Sequence, residues 1–193
     1  MAKKNPDELE SLHKNLWKLY RQLRSEKQKQ WSRTLPFPEL LFDRWEKAKF
    51  LNSKNGSSIY DSSIVFGDVS IGKNSWIGPN TILDGSGGKL RIGDFCSISS
   101  GVQIYTHNSV KWALTGGKSN YETDNVRIGN QCYIGPNSII TMGCKIGKCS
   151  VIGAHSMVDS NIPPYSIAFG TPAKIVGHVT VNGKNVQFKY TDS

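Results

Sequence analysis

The sequence has few of the features that mark membrane-spanning, zinc-binding or disulfide-rich proteins. No apolar run approaches the ~18 residues of a membrane helix, and the basic start, MAKKNPDELE, lacks the apolar core of a secretory signal. The four cysteines form no C-x-x-C pair, so neither zinc ligation nor a disulfide framework is indicated. We therefore expect a soluble, cytoplasmic bacterial protein in which the cysteines are small, reduced core residues.

Acidic residues are also scarce, with 15 Asp and Glu against 24 Lys and Arg and a net charge of +9. No nucleic-acid recognition motif accompanies this excess, so it is poor evidence for a nucleic-acid partner. Two glycine-lysine stretches, GSGGK and GGKS, lack the other residues of a phosphate-binding loop. The composition therefore gives no support to nucleotide hydrolysis.

The dominant pattern is a repeat of six residues. A fixed period of six matches neither a helix nor an ordinary strand, and it is typical of a parallel β-helix in which three hexads close one coil. The aliphatic residue of each hexad is expected to point inward, and the glycine that often follows it is expected to allow the backbone turn at the corner. The aliphatic positions are Ile59, Val65, Ile71, Ile77, Leu83, Ile92, Ile98, Ile104, Ile128, Ile134, Ile140, Ile146, Ile152 and Val158.

A small residue follows four positions after most of these aliphatic residues. It is predicted to fill the remaining interior space of each coil, which explains three of the four cysteines without any metal or disulfide. These positions are Ser75, Thr81, Cys96, Val102, Cys132, Ser138, Cys144, Ser150 and Ser156.

The repeats divide the chain into three parts. Residues 1–55 form a helical region, residues 56–177 the β-helix, and residues 178–193 a C-terminal β-hairpin around Asn182-Gly183. The β-helix is interrupted by a short insertion at 84–91 and an excursion loop at 105–127. In the first part, leucines at 9, 12, 16, 19 and 23 predict a helix with one apolar seam.

Two roles are open for this N-terminal region, which carries 13 basic and 7 acidic residues. A basic amphipathic helix could contact a membrane surface or an anionic partner. We favour a helical cap over the open end of the β-helix, because the terminal edge of a solenoid must be covered.

The segments GVQIYTHNS, VRIGNQCYIGPNSII and IPPYSIAFGTPAKIVG together resemble the hexapeptide-repeat acyltransferases, in particular the maltose, galactoside and nodulation-factor O-acetyltransferases and the enzymes that acetylate surface glycans. The resemblance implies an all-β solenoid, a left-handed parallel β-helix with an N-terminal helical cap and a C-terminal hairpin. It further implies a homotrimer that binds acetyl-CoA between neighbouring subunits and uses no metal.

The same resemblance implies that His107, at the start of the excursion loop, is the catalytic general base. A sugar hydroxyl is a weak nucleophile at neutral pH, and a neutral imidazole can accept its proton as it attacks the thioester. The weaker candidates for lining the acceptor site are Asp84, Asn80, Asn108, Trp112 and Tyr121. By position in the family motif, the candidates for contacting coenzyme A are Tyr133, Gly135, Ala154, Ser156 and Lys174.

The function expected from this resemblance is acetyl-CoA-dependent O-acetylation of a sugar hydroxyl, on a precursor of a bacterial cell-surface polysaccharide or lipopolysaccharide. The alternative is N-acetylation of a nucleotide-linked amino sugar. A metal site of the γ-carbonic-anhydrase kind needs three histidines, and only His107 and His155 lie among the hexads. The expected partners are a carbohydrate acceptor, coenzyme A and two further copies of the chain. No nucleic-acid partner is expected, and membrane contact is the less favoured role of the N-terminal helices.

Overall fold

The computed structural model of the protein describes residues 6–51 and 53–191. Residues 1–5 and 52 of the predicted helical region, and residues 192–193 of the predicted hairpin, lie outside the described residues. The chain divides into two compact units, one that ends at Asp43 and one that begins at Arg44.

The first unit contains two helices, α1 (Pro6–Trp31) and α2 (Phe37–Leu41). Helix α1 follows the 3-4 spacing of leucines, with acidic Asp7 and Glu8 in its first turn, where the helix dipole favours negative charge. No residue of α1 is buried. Helix α2 begins directly after Pro36 and has a second proline in its first turn, where the missing N–H is not needed.

The second unit consists of short strands with two further helices. Its helices are α3 (Arg44–Phe50) and α4 (Val110–Leu114). Its strands are β1 (Ser58–Ile59), β2 (Ile64–Ile71), β3 (Trp76–Ile77), β4 (Ile82–Ile92), β5 (Ser97–Ile98), β6 (Gln103–Tyr105), β7 (His107–Asn108), β8 (Glu122–Thr123), β9 (Val126–Ile128), β10 (Tyr133–Ile134), β11 (Ile139–Ile140), β12 (Lys145–Ile146), β13 (Val151–Ile152), β14 (Met157–Val158), β15 (Ser166–Gly170), β16 (Ala173–Asn182) and β17 (Asn185–Tyr190).

Parallel pairing joins strands that lie 18 residues apart, which is three hexads. Ser58 pairs with Trp76, Ile64 with Ile82, and Arg127 with Lys145. The separation grows to 21 residues across the short insertion and to 36 across the excursion loop, and the in-register stacking continues beyond both. The structure is therefore a stack of three-hexad coils, as the period of six predicts.

The stacked strands form three parallel ladders, which we call the first, second and third faces. The first face contains β1, β3, β5, β10, β13 and β15. The second face contains the first halves of β2 and β4, with β6, β11 and β14. The third face contains the second halves of β2 and β4, with β9 and β12. Because β2 and β4 run through a corner, they belong to two faces.

The interior of the stack is filled by the residues that the hexad pattern predicts. All the aliphatic positions are buried except Val65, which packs at the edge of the core, and all the small positions are buried as well. The four cysteines are free thiols, and Cys132 Sγ donates to Gly147 O at 3.0 Å. Burial raises the pKa of the Cys144 thiol, which keeps that side chain protonated and unreactive.

The glycine after the inward aliphatic residue has a different role from the one predicted. At Gly135, which does not have a positive φ, an added Cβ would lie 2.5 Å from the backbone N of Ala154 in the next coil. The left-handed conformation occurs two residues later in most hexads, at residues such as Asn80 (φ 57°) and Asn137 (φ 56°). The prediction that this glycine supplies the corner conformation is wrong, because it makes room for the neighbouring coil instead.

A helix packs at the start of the stack, and antiparallel strands follow its last coil. At the start, Ala48 of α3 is buried in the core, and Lys47 Nζ donates to the carbonyl oxygens of Asp61 and Ser63 at 2.6 and 2.8 Å. At the other end, β15, β16 and β17 are antiparallel, and Asn182 pairs with Asn185 across a two-residue turn. Among the described helices, none combines the length and the apolar character that crossing a membrane requires.

Candidate active site

The two interruptions of the hexad pattern meet at one corner of the stack. On the second face, Asp84 of β4 pairs in register with Tyr105 of β6. The insertion that begins at Asp84 and the excursion that begins at Tyr105 therefore leave neighbouring coils at the same place. Strand β7, which starts at His107, lies at this corner.

His107 faces a carboxylate and a hydroxyl from the coil before it. Its Nδ1 lies 3.5 Å from Oδ2 of Asp84 and 3.4 Å from Oγ of Ser86. Ser86 donates a short hydrogen bond from Oγ to Oδ1 of Asp84, and its backbone N–H donates to the same oxygen at 2.9 Å. With Asp84 6% exposed, the carboxylate is held by its neighbours rather than by water. This arrangement favours a proton on Nδ1 and leaves Nε2 as an acceptor.

The backbone beside His107 is fixed by one buried threonine and one glycine. Thr106 is fully buried, and its Oγ1 donates to Asp84 O at 2.8 Å and accepts from the Gly87 N–H at 3.0 Å. A Cβ on Gly87 would lie 2.5 Å from the His107 Cβ, so this position must lack a side chain. The insertion and the excursion loop are therefore closely packed against each other beside His107.

The excursion loop carries an aromatic cluster to the imidazole. The ring of Tyr121 is stacked on His107 with a centroid distance of 6.0 Å and an interplanar angle of 12°. Trp112, on α4, meets Tyr121 edge-on at 5.6 Å. The loop is held by antiparallel pairing of His107 with Thr123 and by an ion pair between Lys111 and Glu122 at 2.6 Å.

The predicted acceptor residues are not equally close to the imidazole. Asp84 contacts it directly, Tyr121 stacks on it, and Trp112 reaches it through Tyr121. Asn108 uses its Oδ1 to accept from the backbone N–H of Val110 at 2.8 Å, which starts α4. Asn80 is exposed at a corner before β4, and its backbone N–H donates to Ser62.

Ser86 is a site residue that the sequence reasoning missed. A signal for it was present, since the insertion follows Leu83 and the excursion follows Ile104, two inward residues on neighbouring coils of one face. Interruptions at equivalent positions of successive coils must lie side by side. The hexad pattern by itself marks the insertion only as an interruption, so it does not connect Ser86 with His107.

The residues predicted to contact coenzyme A lie on another part of the stack. Tyr133 is exposed on the first face, and Gly135 and Ala154 lie at the corner that joins the first face to the second. Lys174 is exposed on β16 and pairs with Phe169. Ser156 is buried, with its Oγ accepting from the Gly170 N–H at 3.1 Å, so its side chain serves the interior of the stack.

Within residues 6–51 and 53–191, no three His, Cys, Asp or Glu side chains are grouped so that they could hold a metal ion.

A protein-family model described as bacterial transferase hexapeptide (six repeats) matches residues 125–160. The resemblance to the hexapeptide-repeat acyltransferases is confirmed. A probable acetyltransferase of Mycobacterium tuberculosis is 33% identical over 72% of this chain and 44% of its own length. The galactoside O-acetyltransferase of Escherichia coli is 27% identical over 63% of this chain and 69% of its own length. The chain thus spans less than half of the first of these two relatives.

Two solved structures give the same picture of the hexapeptide-repeat fold. A hexapeptide-repeat acetyltransferase from Vibrio cholerae is 23% identical, covers 89% of this chain and 92% of its own, and has a TM-score of 0.63, which supports the fold alone. A galactoside acetyltransferase in complex with coenzyme A is 26% identical, covers 65% of this chain and 64% of its own, and has a TM-score of 0.58.

Proposed function

We propose that this hexapeptide-repeat protein transfers an acetyl group from acetyl-CoA to a hydroxyl of a sugar, with His107 as the general base. The observation that carries the proposal is the contact of His107 Nδ1 with the nearly buried Asp84 carboxylate, at a corner where a loop leaves the stack. The relatives described above include a galactoside O-acetyltransferase and an acetyltransferase that binds coenzyme A, which supports the same donor and acceptor class.

The reaction requires one proton to move twice. Nε2 of His107 accepts the proton of the sugar hydroxyl while the oxygen attacks the thioester carbonyl. The carboxylate of Asp84 keeps the other ring proton on Nδ1 and stabilises the imidazolium that forms. When the C–S bond breaks, the imidazolium returns its proton to the leaving thiolate, so coenzyme A leaves as the thiol and the sugar carries the ester.

The aromatic residues of the excursion loop fit a carbohydrate acceptor. Tyr121 and Trp112 are both exposed and lie beside the base. Their ring faces offer apolar area to the C–H face of a sugar, while the tyrosine hydroxyl and the indole N–H remain available as polar groups. In this proposal the two rings form one wall of the acceptor site. The acceptor is a precursor of a surface polysaccharide or lipopolysaccharide.

The proposal includes a homotrimer of left-handed β-helices. Within one chain, His107 and the predicted coenzyme A residues occupy different corners, so a cleft that contains both requires a neighbouring chain. The second face supports this, because the outward residues Ile64, Ile82, Ile139 and Met157 form an apolar stripe, which Gln103 interrupts between Ile82 and Ile139. Ile64 and Ile139 of this stripe are exposed. Leu114 on the excursion loop is 83% exposed, as expected for a loop that reaches a neighbour.

An acceptor screen with acetyl-CoA, followed through the release of free thiol, tests this function. We expect turnover with a sugar and a product that hydroxylamine cleaves, since an ester is labile under mild conditions. The alternative function, N-acetylation of a nucleotide-linked amino sugar, gives a product amide that survives the same treatment. Absence of thiol release with every sugar and amino sugar would reject the proposed reaction.

A further inference from the structure

The third face carries a ladder of basic residues along a groove of about 760 Å³. Arg91, Arg127 and Lys145 occupy equivalent positions on three successive coils, each in register with the next. Parallel strands are spaced by ~4.8 Å, so the three side chains project side by side from neighbouring strands. Lys148 lies at the end of the same groove, with Nζ 5.5 Å from the ring centroid of Tyr165.

The charge of this groove is largely uncompensated. The residues that line it include four basic side chains and no Asp or Glu. Arg91 is paired with Asp68, with Nη1 2.7 Å from Oδ1 and Nη2 2.8 Å from Oδ2. For Arg127 and Lys145, no carboxylate partner occurs among the described residues. Like charges opposite each other on neighbouring strands are destabilising. A bound anion would reduce the repulsion between these basic side chains.

The groove lies on the face that follows the corner of His107 along the chain. Strand β4 runs from Asp84, which contacts His107, to Arg91 in the groove. Strand β8 pairs with β7 and is followed after two residues by β9, which carries Arg127. The basic ladder and the corner of His107 are therefore joined by short stretches of the same strands, which leaves room for one ligand to extend from the third face to this corner.

We propose that the third-face groove binds the phosphate groups of the acyl acceptor, so that the acceptor is a sugar bearing a diphosphate or phosphodiester. This inference rests on the function proposed above. A guanidinium donates two parallel hydrogen bonds to a phosphate, and an ammonium adds a mobile point charge. Arg127 and Lys145, on adjacent coils, match an anion with oxygens on two linked phosphorus atoms.

Isothermal titration of the intact protein with inorganic pyrophosphate tests the anion site without any turnover. We expect the double variant Arg127→Gln/Lys145→Gln to bind pyrophosphate at least about tenfold more weakly, since a hydrogen bond to a charged group is of that size. The matched control, Lys184→Gln/Lys189→Gln on the exposed hairpin, loses the same charge and should bind as the unaltered protein does. Equal weakening in both variants, or in neither, would overturn the proposal.

A second set of titrations identifies the source of the phosphate. The double variant should retain its affinity for coenzyme A and lose affinity for a nucleoside-diphosphate sugar. A parallel loss of coenzyme A affinity would assign the groove to the cofactor and reject the acceptor site. Selective loss of binding to phosphatidylglycerol vesicles, with the sugar nucleotide still bound, would assign the groove to a membrane and also reject it.

The two proposals fail separately. If thiol release is absent while pyrophosphate still binds to the groove, the acetyl transfer fails and the anion site remains. If a neutral sugar is acetylated at full rate and the double variant does not change its KM or that of a phosphorylated sugar, the acetyl transfer stands and the acceptor site is wrong.

Discussion

The imidazole of His107 and the carboxylate of Asp84 come from successive coils of the stack, and Nδ1 lies 3.5 Å from Oδ2. The two residues are 23 positions apart in the sequence, and the pairing of Asp84 with Tyr105 brings them together. Because this pairing belongs to the core ladder, the same stacking that stabilises the fold also places the imidazole beside the carboxylate.

Replacing His107 with alanine should reduce kcat by roughly 10²–10⁴-fold, the usual contribution of a positioned general base. Thiol release from acetyl-CoA measures the loss, and coenzyme A affinity should stay nearly unchanged. His155→Ala removes an exposed histidine from another corner and serves as the control. If the His107 variant turns over at a normal rate, another group is the base.

Replacing Asp84 with asparagine should reduce kcat by about 10²-fold, because an imidazole that is no longer held in place spends less time in the productive geometry. Ser86→Ala leaves the carboxylate in place and should cost less. Asp84 is interpreted here as a positioning residue, so KM for the acceptor should change little. A large rise in KM with constant kcat would instead mean that Asp84 binds the acceptor.

The same Asp84→Asn variant should lower the pKa of Tyr105. Two causes raise this pKa above its ordinary value of 10.0. Burial is the larger cause, and the negative charge of Asp84 is the smaller one. Only the second cause disappears in the variant, so the pKa should fall and still remain above that value. Tyrosinate absorbance, with Tyr105→Phe as the reference, measures the change. An unaltered titration would mean that the carboxylate does not act on Tyr105.

The raised pKa of Tyr105 also predicts the direction of one stability change. The folded state retains the phenolic proton of Tyr105 to a higher pH than the unfolded state does. The contribution of this proton to the free energy of unfolding is therefore constant below the ordinary tyrosine pKa. This contribution then declines as the pH rises from the ordinary tyrosine pKa through the raised pKa of Tyr105 in the folded protein. Tyr105→Phe should remove this decline in alkaline denaturation curves.

Light scattering should give a mass three times the 21.4 kDa of the chain. Ile139→Asp places a charge on the apolar stripe of the second face and should yield smaller species that neither bind coenzyme A nor turn over. Val186→Asp, on the exposed hairpin, makes the same change away from the stripe and should leave the assembly intact. A fully active monomer would contradict a site built between chains.

Deletion of residues 1–30 tests the role of the N-terminal helices. If they act as a cap, the Tm should fall, by about 2–4 °C for each kcal/mol of lost contact. Association with anionic liposomes should be near zero before and after the deletion. Strong liposome binding that the deletion abolishes would favour the membrane-facing helix instead.

The sequence by itself determined the architecture of the second unit, because one physical constraint repeats in every coil. An interior with room for one aliphatic and one small side chain per hexad leaves a period of six in the chain, and Ile77, Ser138 and Ile152 are buried as that period requires. The resemblance of the segment around His107 to the hexapeptide-repeat acyltransferases could also be recognised from the sequence, because its motif is one contiguous stretch. The sequence did not reveal the role of the glycine at the corner, because the residue that it packs against lies in the next coil. For Gly135 this residue is Ala154, 19 positions away in the sequence.

Only the tertiary structure decided which residues act together. Asp84 and Ser86 meet His107, and Arg127 is aligned with Arg91 and Lys145, through contacts between coils that the period alone does not assign to partners. Side chains that point outward from a repeat carry no inward constraint, so their identity leaves no periodic signal. Their position becomes meaningful only when insertions and register set which coils lie side by side.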